Sequence, residues 1–306
     1  MNYNLITILG PTATGKTKLA AQLAHRFNGE IISADSRQVY KGMDIGTGKD
    51  LSDYVVDDNK IPYHLIDIAA PETEFNLFEF TKHFKEAFKK IISKDRLPFL
   101  TGGTGLYISS VVQNYQLRSA EIKEADITRL SQLSFEELQS ILTSLKPKLH
   151  NKTDLEDKER LIKAILIAGS AGESLLKDVK INSLVIGVRF ERGEIKKRIT
   201  ERLKKRLNEG MIEEVKKLID SGVFYERLLK FGLEYKFIAL YLKGEMNYNN
   251  MFIKLNSAIS AFAKRQMTWF RKMEKEGVKI NWINKADFEQ AADLISNHTF
   301  VADIKS

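Results

Sequence analysis

The chain has 306 residues, of which 43% are hydrophobic, enough for about two domains with buried cores. Lys and Arg number 48 against 40 Asp and Glu, so a net charge of +8 suggests either a polyanionic partner such as nucleic acid or a generally basic protein. The absence of cysteine excludes disulfides, thiol nucleophiles and thiolate metal sites. With no basic leader and no long apolar run, we expect no signal peptide, no membrane partner and a cytoplasmic location.

Short apolar runs alternate with helical patterns along much of the chain. Residues 5–9 end at a glycine turn and predict a buried strand, and residues 16–27 follow with apolar residues at helical spacing. The later predicted elements are strands at 30–35, 63–68, 97–101, 184–190 and 279–283 and a helix at 77–92. This alternation predicts an α/β fold with a P-loop NTPase-like parallel sheet flanked by helices. Such sheets bind ligands at the carboxyl ends of their strands.

Residues 113–181 interrupt the alternation. They contain no convincing strand and consist mostly of charged helical sequence. We therefore predict that residues 1–112 form the first part of the P-loop core and residues 113–181 a helical insertion domain. Residues 182–306 are predicted to complete the core and to add C-terminal helices.

A phosphate-binding sequence lies between the first predicted strand and helix. Residues 10–17 read GPTATGKT and match G-x-x-x-x-G-K-[ST] in the strand–turn–helix context that this motif requires. Backbone amides of such a loop surround phosphate oxygens, and the helix N-terminus adds partial positive charge. Lys16 would add a full charge, and the Thr17 hydroxyl would ligate Mg²⁺. The predicted diphosphate- or nucleotide-binding residues are Gly10, Pro11, Thr12, Ala13, Thr14, Gly15, Lys16 and Thr17.

Acidic residues near strand ends are candidates for a base or a metal ligand. Hydrolases and kinases usually pair the phosphate loop with an apolar strand that ends in Asp. The strand at 97–101 ends in Thr101 and glycines instead, whereas Asp35 ends the strand at 30–35 and Asp67 lies near the end of a shorter one. Asp35 is therefore expected beside the phosphate loop, as a Mg²⁺ ligand, a general base or a turn cap. Kinase chemistry stays open on this argument alone.

Further sequence blocks resemble the bacterial tRNA dimethylallyltransferases. They are ADSRQVYKGMDIGT at 34–47, YHLIDI at 63–68, GGTGLY at 102–107 and AKRQMTWF at 263–270, and with the loop they follow the family's order over most of the chain. The resemblance implies transfer of a dimethylallyl group from dimethylallyl diphosphate to the exocyclic N6 amine of the adenosine 3′ of the anticodon in tRNA. It also implies Mg²⁺ as cofactor, and we expect a monomer.

The resemblance implies a role for individual residues. The loop, with Lys16 and Thr17, would hold the diphosphate leaving group. Asp35 would take a proton from the attacking amine. The residues expected to contact tRNA are Asp35, Ser36, Arg37, Gln38 and Thr104 at the target nucleotide and Arg160 and Lys163 in the insertion, which would be the tRNA-binding domain.

A basic helix is predicted at residues 194–207. Ile195, Ile199, Leu203 and Leu207 recur every four residues and form a buried stripe. Arg202 lies roughly 20° from Ile195 around the helix axis, so it should have an anionic partner. In the family, an Arg matching Arg202 stabilises the departing diphosphate and is catalytic; a structural salt bridge is the alternative.

Two segments depart from the family pattern. Asp157 and Arg160 match it, but Lys163 replaces a second Arg and Leu166 replaces an acid. Lys keeps the attraction to phosphate and loses the bidentate fork of Arg. The sequence GLEYK at 232–236 has two residues between Gly and Tyr, so no contact is carried over to it.

Two other functions are alternatives for a chain with this phosphate loop. One is an adenine-nucleotide prenyltransferase that makes cytokinins, and the long basic insertion argues against it because a small nucleotide needs no such surface. The other is a P-loop RNA-binding NTPase or a small-molecule kinase. The missing Asp after the strand at 97–101 and the block at 35–47 argue against that function.

Overall fold

A computed structural model describes residues 2–117, 124–145, 157–168 and 174–300. The chain divides into two compact units, one made of Met1–Asn114 with Lys180–Ser306 and the other of Tyr115–Val179. The described residues include no helix with the length and apolar character needed to cross a membrane.

The secondary structure alternates between strands and helices in the first unit and is helical in the described part of the second. The strands are β1 (Asn2–Tyr3), β2 (Leu5–Leu9), β3 (Gly29–Ala34), β4 (Val55–Val56), β5 (Asn59–Lys60), β6 (Tyr63–His64), β7 (Leu97–Gly102), β8 (Ser183–Arg189), β9 (Ile280–Asn284) and β10 (Thr299–Phe300). The helices are α1 (Lys16–Arg26), η1 (Leu51–Tyr54, a 3-10 helix), α2 (Leu77–Ile92), α3 (Gly105–Val112), α4 (Glu124–Ser131), α5 (Phe135–Leu145), α6 (Lys158–Ala168), α7 (Arg192–Asn208), α8 (Met211–Asp220), α9 (Tyr225–Phe231), α10 (Leu233–Leu242), α11 (Tyr248–Lys275) and α12 (Phe288–Ser296).

A parallel sheet forms the centre of the first unit, with the strand order β6-β3-β7-β2-β8-β9. All five residues of β2 are buried, because helices cover both faces of a parallel sheet. Leu9 and Ala34 each pair with Gly102, so β2, β3 and β7 end in one row. The predicted α/β class, a parallel sheet flanked by helices, is confirmed.

The third predicted strand is much shorter than expected. The pattern at 63–68 predicts an extended run, but β6 stops at His64. Leu65 and Asp67 have φ values of 63° and 55°, in the left-handed region, which ends the extended conformation. The helix predicted at 77–92 is observed as α2, and Asn76 caps it by accepting hydrogen bonds from two backbone amides.

Three hydrophobic clusters stabilise the described residues. One packs around the sheet, and a second joins the loop after β3 to α7, α8, α10 and α11. The second cluster includes Ile199, Leu203 and Leu207, the stripe predicted on the basic helix. The third lies within the second unit and consists of buried residues from α4, α5 and α6, namely Leu130, Leu138, Leu142, Leu161, Ile162 and Ile165.

Candidate functional site

A cavity of about 430 Å³ opens at the carboxyl ends of β2, β3 and β7. Because these ends meet in one row, residues that follow different strands come together there. Of the predicted site residues, the cavity is lined by Thr12, Ala13, Gly15, Lys16, Thr17, Asp35, Arg37, Gln38 and Arg202. Those that do not line it are Gly10, Pro11, Thr14, Ser36 and Thr104 in the first unit, and Arg160 and Lys163, which belong to the second unit.

The phosphate loop connects β2 to α1 and has a fixed conformation. Ala13 and Gly15 take positive φ values of 64° and 78°, and Gly15 is the N-cap of α1. A Cβ atom at Gly10 would lie 2.8 Å from the Val188 carbonyl oxygen, so the chain needs glycine there. Thr14 is buried and donates its hydroxyl hydrogen bond to the Pro11 carbonyl at 2.9 Å. Loop residues that line the cavity, such as Ala13 and Gly15, and residues that do not, such as Gly10 and Thr14, therefore determine the shape of the loop together.

A glutamine from α11 supports the loop. The Gln266 side-chain oxygen accepts a hydrogen bond from the Thr12 amide at 2.9 Å. Its nitrogen donates to the Gly103 carbonyl at 2.8 Å, which ties the phosphate loop to the turn after β7. Gln266 lies in the block at 263–270, but its role was missed because no local pattern indicates a partner so far away in the sequence.

Positive side chains converge on the loop. Lys16 Nζ lies 3.3 Å from the Pro11 carbonyl oxygen, and burial, with repulsion from Arg202 and Arg206, lowers the pKa of Lys16 to about 8 against the opposing effect of Asp35. Arg198 Nε donates to the Ala13 carbonyl at 2.7 Å, and Arg202 Nη1 lies 3.3 Å from the Thr12 hydroxyl. Such an arrangement suits an anion with several negative charges.

The arginines come from one face of α7, where residues 198, 202 and 206 follow each other at intervals of four. Arg206 is the most buried of them, and burial and Arg202 lower its pKa to about 10. Its spacing from Arg202 was the available signal for its role, which the sequence reasoning missed. At neutral pH the group stays charged.

The anionic partner expected for Arg202 is Asp50. Its Oδ2 atom accepts hydrogen bonds from Arg202 Nη2 at 2.8 Å and from Arg206 Nη2 at 3.3 Å. Burial alone would raise the pKa of Asp50, but the two arginines outweigh it and hold the pKa below its usual value. Arg202 therefore makes the salt bridge and also faces the phosphate loop, while its role towards a departing diphosphate stays a prediction.

Asp35 follows β3 directly and lines the same cavity as Lys16. Its Oδ1 atom accepts hydrogen bonds from the Arg37 amide at 2.9 Å and the Gln38 amide at 3.4 Å. Its Oδ2 atom accepts no hydrogen bond within the described ranges. Asp35 also has an electrostatic effect on Lys16, whose pKa it raises, so the carboxylate lies close to the phosphate-binding end. One carboxylate oxygen is thus held in place and the other is available to a substrate.

The residues predicted to contact the target nucleotide are held by hydrogen bonds within the first unit. Arg37 Nη1 donates to Glu234 Oε2 at 2.6 Å. Gln38 accepts from the Ser33 hydroxyl at 3.1 Å and donates to the Gly48 carbonyl at 3.0 Å. The other two predicted contacts pair with each other, since the Ser36 amide donates to the Thr104 hydroxyl oxygen at 3.0 Å.

A loop after β3 is clamped to the helical side of the unit. The Glu214 carboxylate accepts hydrogen bonds from the amides of Asp44, Ile45 and Gly46 at 2.8, 2.6 and 3.0 Å, and one from the Tyr235 hydroxyl at 2.7 Å. Glu234 and Tyr235 of the GLEYK segment therefore hold site loops, which the sequence reasoning did not predict.

The buried Lys49 side chain also holds this loop in place. It donates to the Tyr40 carbonyl at 2.6 Å and to Asp44 at 2.8 Å, and it pairs with Asp67. Asp67, an acid near the end of a predicted strand, is therefore bound to a lysine.

The oxygen donors in the cavity fit a magnesium ion held jointly with a ligand. The Thr17 hydroxyl and the Asp35 carboxylate line the cavity, and hard cations prefer such oxygens. Within the described ranges, no group of three or more His, Cys, Asp or Glu residues is arranged to hold a metal. A cation here would therefore depend on ligand oxygens for most of its coordination.

The two predicted tRNA residues of the second unit lie on α6. Asp157 caps this helix, its Oδ1 atom accepting a hydrogen bond from the Arg160 amide at 2.9 Å. Arg160 and Lys163 are exposed, while Leu161, Ile162 and Ile165 are buried against the rest of the unit.

Several known proteins are similar to this chain over nearly its whole length. A curated relative from Geotalea uraniireducens, named tRNA dimethylallyltransferase 1, is 53% identical over 286 residues, covering 92% of this chain and 93% of the relative. Another of that name, from Syntrophus aciditrophicus, is 48% identical, covering 97% and 99%. A crystal structure of a tRNA isopentenylpyrophosphate transferase from Bacillus halodurans is 32% identical with a TM-score of 0.69, covering 97% of this chain and 95% of that one.

A eukaryotic dimethylallyltransferase acting on tRNA shares the fold, with a TM-score of 0.78 at 20% identity, over 100% of this chain and 81% of that one. The family model described as IPP transferase matches residues 38–273, most of the chain. The predicted family resemblance is confirmed: this chain belongs to the IPP transferase family.

Proposed function

We propose that this protein is a tRNA dimethylallyltransferase. It transfers the dimethylallyl group of dimethylallyl diphosphate to N6 of the adenosine 3′ of the anticodon. The observation that carries the proposal is that one cavity joins a phosphate loop surrounded by cations to a carboxylate, one oxygen of which accepts no hydrogen bond from the described residues. The names of relatives that match almost the full chain support it.

The cation-lined end of the cavity would receive the diphosphate. The loop amides, Lys16 and the guanidiniums of Arg202 and Arg206 donate hydrogen bonds to its oxygens. As the C1–O bond breaks, its electron pair leaves with the diphosphate, and these fixed donors stabilise the growing charge. Mg²⁺, held by Thr17 and the diphosphate oxygens, would supply further neutralisation.

The carboxylate end would receive the adenine. The amine nitrogen attacks C1 of the allylic group, the N6–C1 bond forms, and Asp35 takes the N6 proton. The target base must leave its stack to reach the cavity, and we propose that Ser36, Arg37, Gln38 and Thr104 surround it there. Because Arg37 and Gln38 also hold neighbouring groups, they present a preformed surface to the nucleotide.

The second unit would bind the tRNA body. Its exposed Arg160 and Lys163 are suited to phosphate contacts, which dominate RNA affinity. We propose that the protein acts as a monomer. Since its substrate is tRNA, we propose a cytoplasmic location.

Mass spectrometry of digested tRNA tests the proposal. The protein, Mg²⁺, dimethylallyl diphosphate and tRNA lacking the modification are incubated together, and one nucleoside should gain one dimethylallyl group. Adenosine monophosphate replaces tRNA in a parallel reaction, and prenylation there alone would indicate a cytokinin-type enzyme. Steady ATP hydrolysis stimulated by tRNA, without prenyl transfer, would indicate an NTPase and contradict the proposal.

A further inference from the structure

Asp50 is the carboxylate that contacts the arginines of the phosphate site in the described part of the chain. Its Oδ2 atom is shared by Arg202 and Arg206, and the Asp50 side chain is 49% exposed whereas Arg206 is only 8% exposed. Asp50 is the N-cap of η1, yet its side chain makes no capping hydrogen bond there. The carboxylate is therefore committed to the arginines rather than to its own helix.

The backbone on either side keeps Asp50 in this position. Gly48 has a φ of 70°, and a Cβ atom there would overlap the guanidiniums of Arg206 and Arg202. Lys49 is anchored by its buried ammonium group. The segment thus lies directly on the α7 arginines, and only the half-exposed Asp50 side chain has space to turn away.

Asp50 and a diphosphate in the loop would share the guanidiniums of Arg202 and Arg206, both of which donate to Asp50 through Nη2. Arg202 also contacts the Thr12 hydroxyl of the phosphate loop, so its guanidinium joins the loop to Asp50. A second anion cannot use an N–H that already donates to a carboxylate, and two anions at one guanidinium repel each other.

We propose that Asp50 is a positioning residue for Arg202 and Arg206 and is displaced by the diphosphate, so that it weakens diphosphate binding and favours product release. In the protein without ligand, Asp50 holds both guanidiniums beside the phosphate loop. When ligand binds, the carboxylate turns towards solvent and the arginines transfer their N–H groups to phosphate oxygens. The inference rests on the proposed function, since it takes the diphosphate to lie at Lys16 and Arg202.

Calorimetric binding of inorganic diphosphate tests the inference directly. Asp50→Asn keeps the shape of the side chain and removes its charge, so affinity should rise by about two- to fivefold, the value of a partly exposed ion pair. Asp53→Asn is the matched control, because Asp53 lines the same cavity and makes no ion pair with these arginines. It should tighten binding by less than about twofold.

Enzyme kinetics and thermal melting with diphosphate measure effects that Asp50 would not have if its role were only structural. In Asp50→Asn the KM for dimethylallyl diphosphate and the inhibition constant of diphosphate should both fall by the binding factor, without a rise in kcat. Diphosphate should also raise the melting temperature of this variant more than that of the wild type. Asp50→Glu, which keeps the charge, should bind diphosphate as the wild type does.

Several outcomes would overturn the inference. Equal or weaker binding by Asp50→Asn would do so, as would equal tightening by Asp53→Asn. A loss of affinity seen only with Mg²⁺, and absent in EDTA, would make Asp50 a metal ligand instead. If the wild type and Asp50→Asn bind diphosphate with equal affinity, the inference about Asp50 is wrong but the proposed diphosphate site stands. If neither protein binds diphosphate, the proposed diphosphate site is wrong as well.

Discussion

The Asp35 carboxylate has one oxygen fixed by backbone amides and the other available in the cavity. Asp35→Asn keeps the shape and most hydrogen bonds but removes the proton acceptor. We expect single-turnover transfer at saturating substrates to slow by about 10²- to 10⁴-fold, with little change in either affinity. Near-normal transfer would remove Asp35 from the mechanism, and rescue by high Mg²⁺ would make it a metal ligand.

Lys16 should take up a proton when diphosphate binds at high pH. Its pKa is about 8 in the free protein, so the side chain is increasingly neutral above pH 8. A bound diphosphate favours the charged form, so binding at pH 9 should take up close to one proton and affinity should fall as pH rises through 8. Calorimetry in two buffers of different ionisation enthalpy measures this uptake.

Lys16→Arg is the control for that measurement, because a guanidinium stays charged across this range. If Lys16→Arg takes up as many protons on diphosphate binding as the wild type, the proton binds to a group other than Lys16.

Glu30 is a buried carboxylate outside the site, at the other end of β3. It pairs with His64 at 2.7 Å, Lys94 at 2.9 Å and Arg96 at 3.0 Å. Burial alone would raise the pKa of Glu30, but the hydrogen bonds from Lys94 and His64 outweigh it and hold the pKa below its usual value. The ionised Glu30 carboxylate therefore stabilises the folded protein above pH 4.5. This contribution is lost as the pH falls through the lowered pKa of Glu30.

Glu30→Gln should lower the free energy of unfolding at pH 7 by about 1 kcal/mol, because it removes the charge that pairs with Lys94 and Arg96, whose side chains are 43% and 38% exposed and therefore partly screened by solvent. The difference from the wild type should shrink below pH 4. Urea denaturation at both pH values tests this, with the exposed Glu289→Gln as control. A difference independent of pH would mean that packing, and not charge, is responsible.

At the scale of the element, α7 brings three arginines to the phosphate loop on one face. Arg202→Ala should slow prenyl transfer by about 10- to 10³-fold while tRNA binding stays nearly intact, since the lost contact strengthens as charge develops on the leaving group. Lys204→Ala on the same helix is the matched control, because Lys204 is exposed and also carries one charge. A loss of tRNA affinity alone would assign Arg202 to the RNA surface.

Elements were predictable where a local pattern determines them. β2 is an apolar run buried on both faces, and the stripe of α7 repeats every four residues, so both can be read from a short window. β6 was predicted too long because nothing in the pattern indicates the left-handed backbone of Leu65 and Asp67. The contacts of Asp50 with Arg206 and of Gln266 with Thr12 were missed because they join residues distant in the sequence.

At the scale of the whole molecule, the cavity is built from the first unit alone. Replacing residues 115–179 by a short linker should therefore preserve diphosphate binding and abolish tight tRNA binding. Affinity of the intact protein for tRNA should also fall steeply with salt, because phosphate contacts release counterions. Filter binding and calorimetry measure the two affinities. Tight tRNA binding by the shortened protein would contradict a tRNA-binding role for the second unit.

The hydrogen bond between Thr12 and Gln266 can form only late in the synthesis of the chain on the ribosome. The two residues are 254 positions apart, so the ribosome adds most of the chain between them. At about 5 to 20 residues per second this takes roughly 13 to 50 seconds. During that interval the phosphate loop exists without the amide that ties it to Gly103. A nascent chain therefore emerges with its phosphate loop long before it has a finished catalytic cavity.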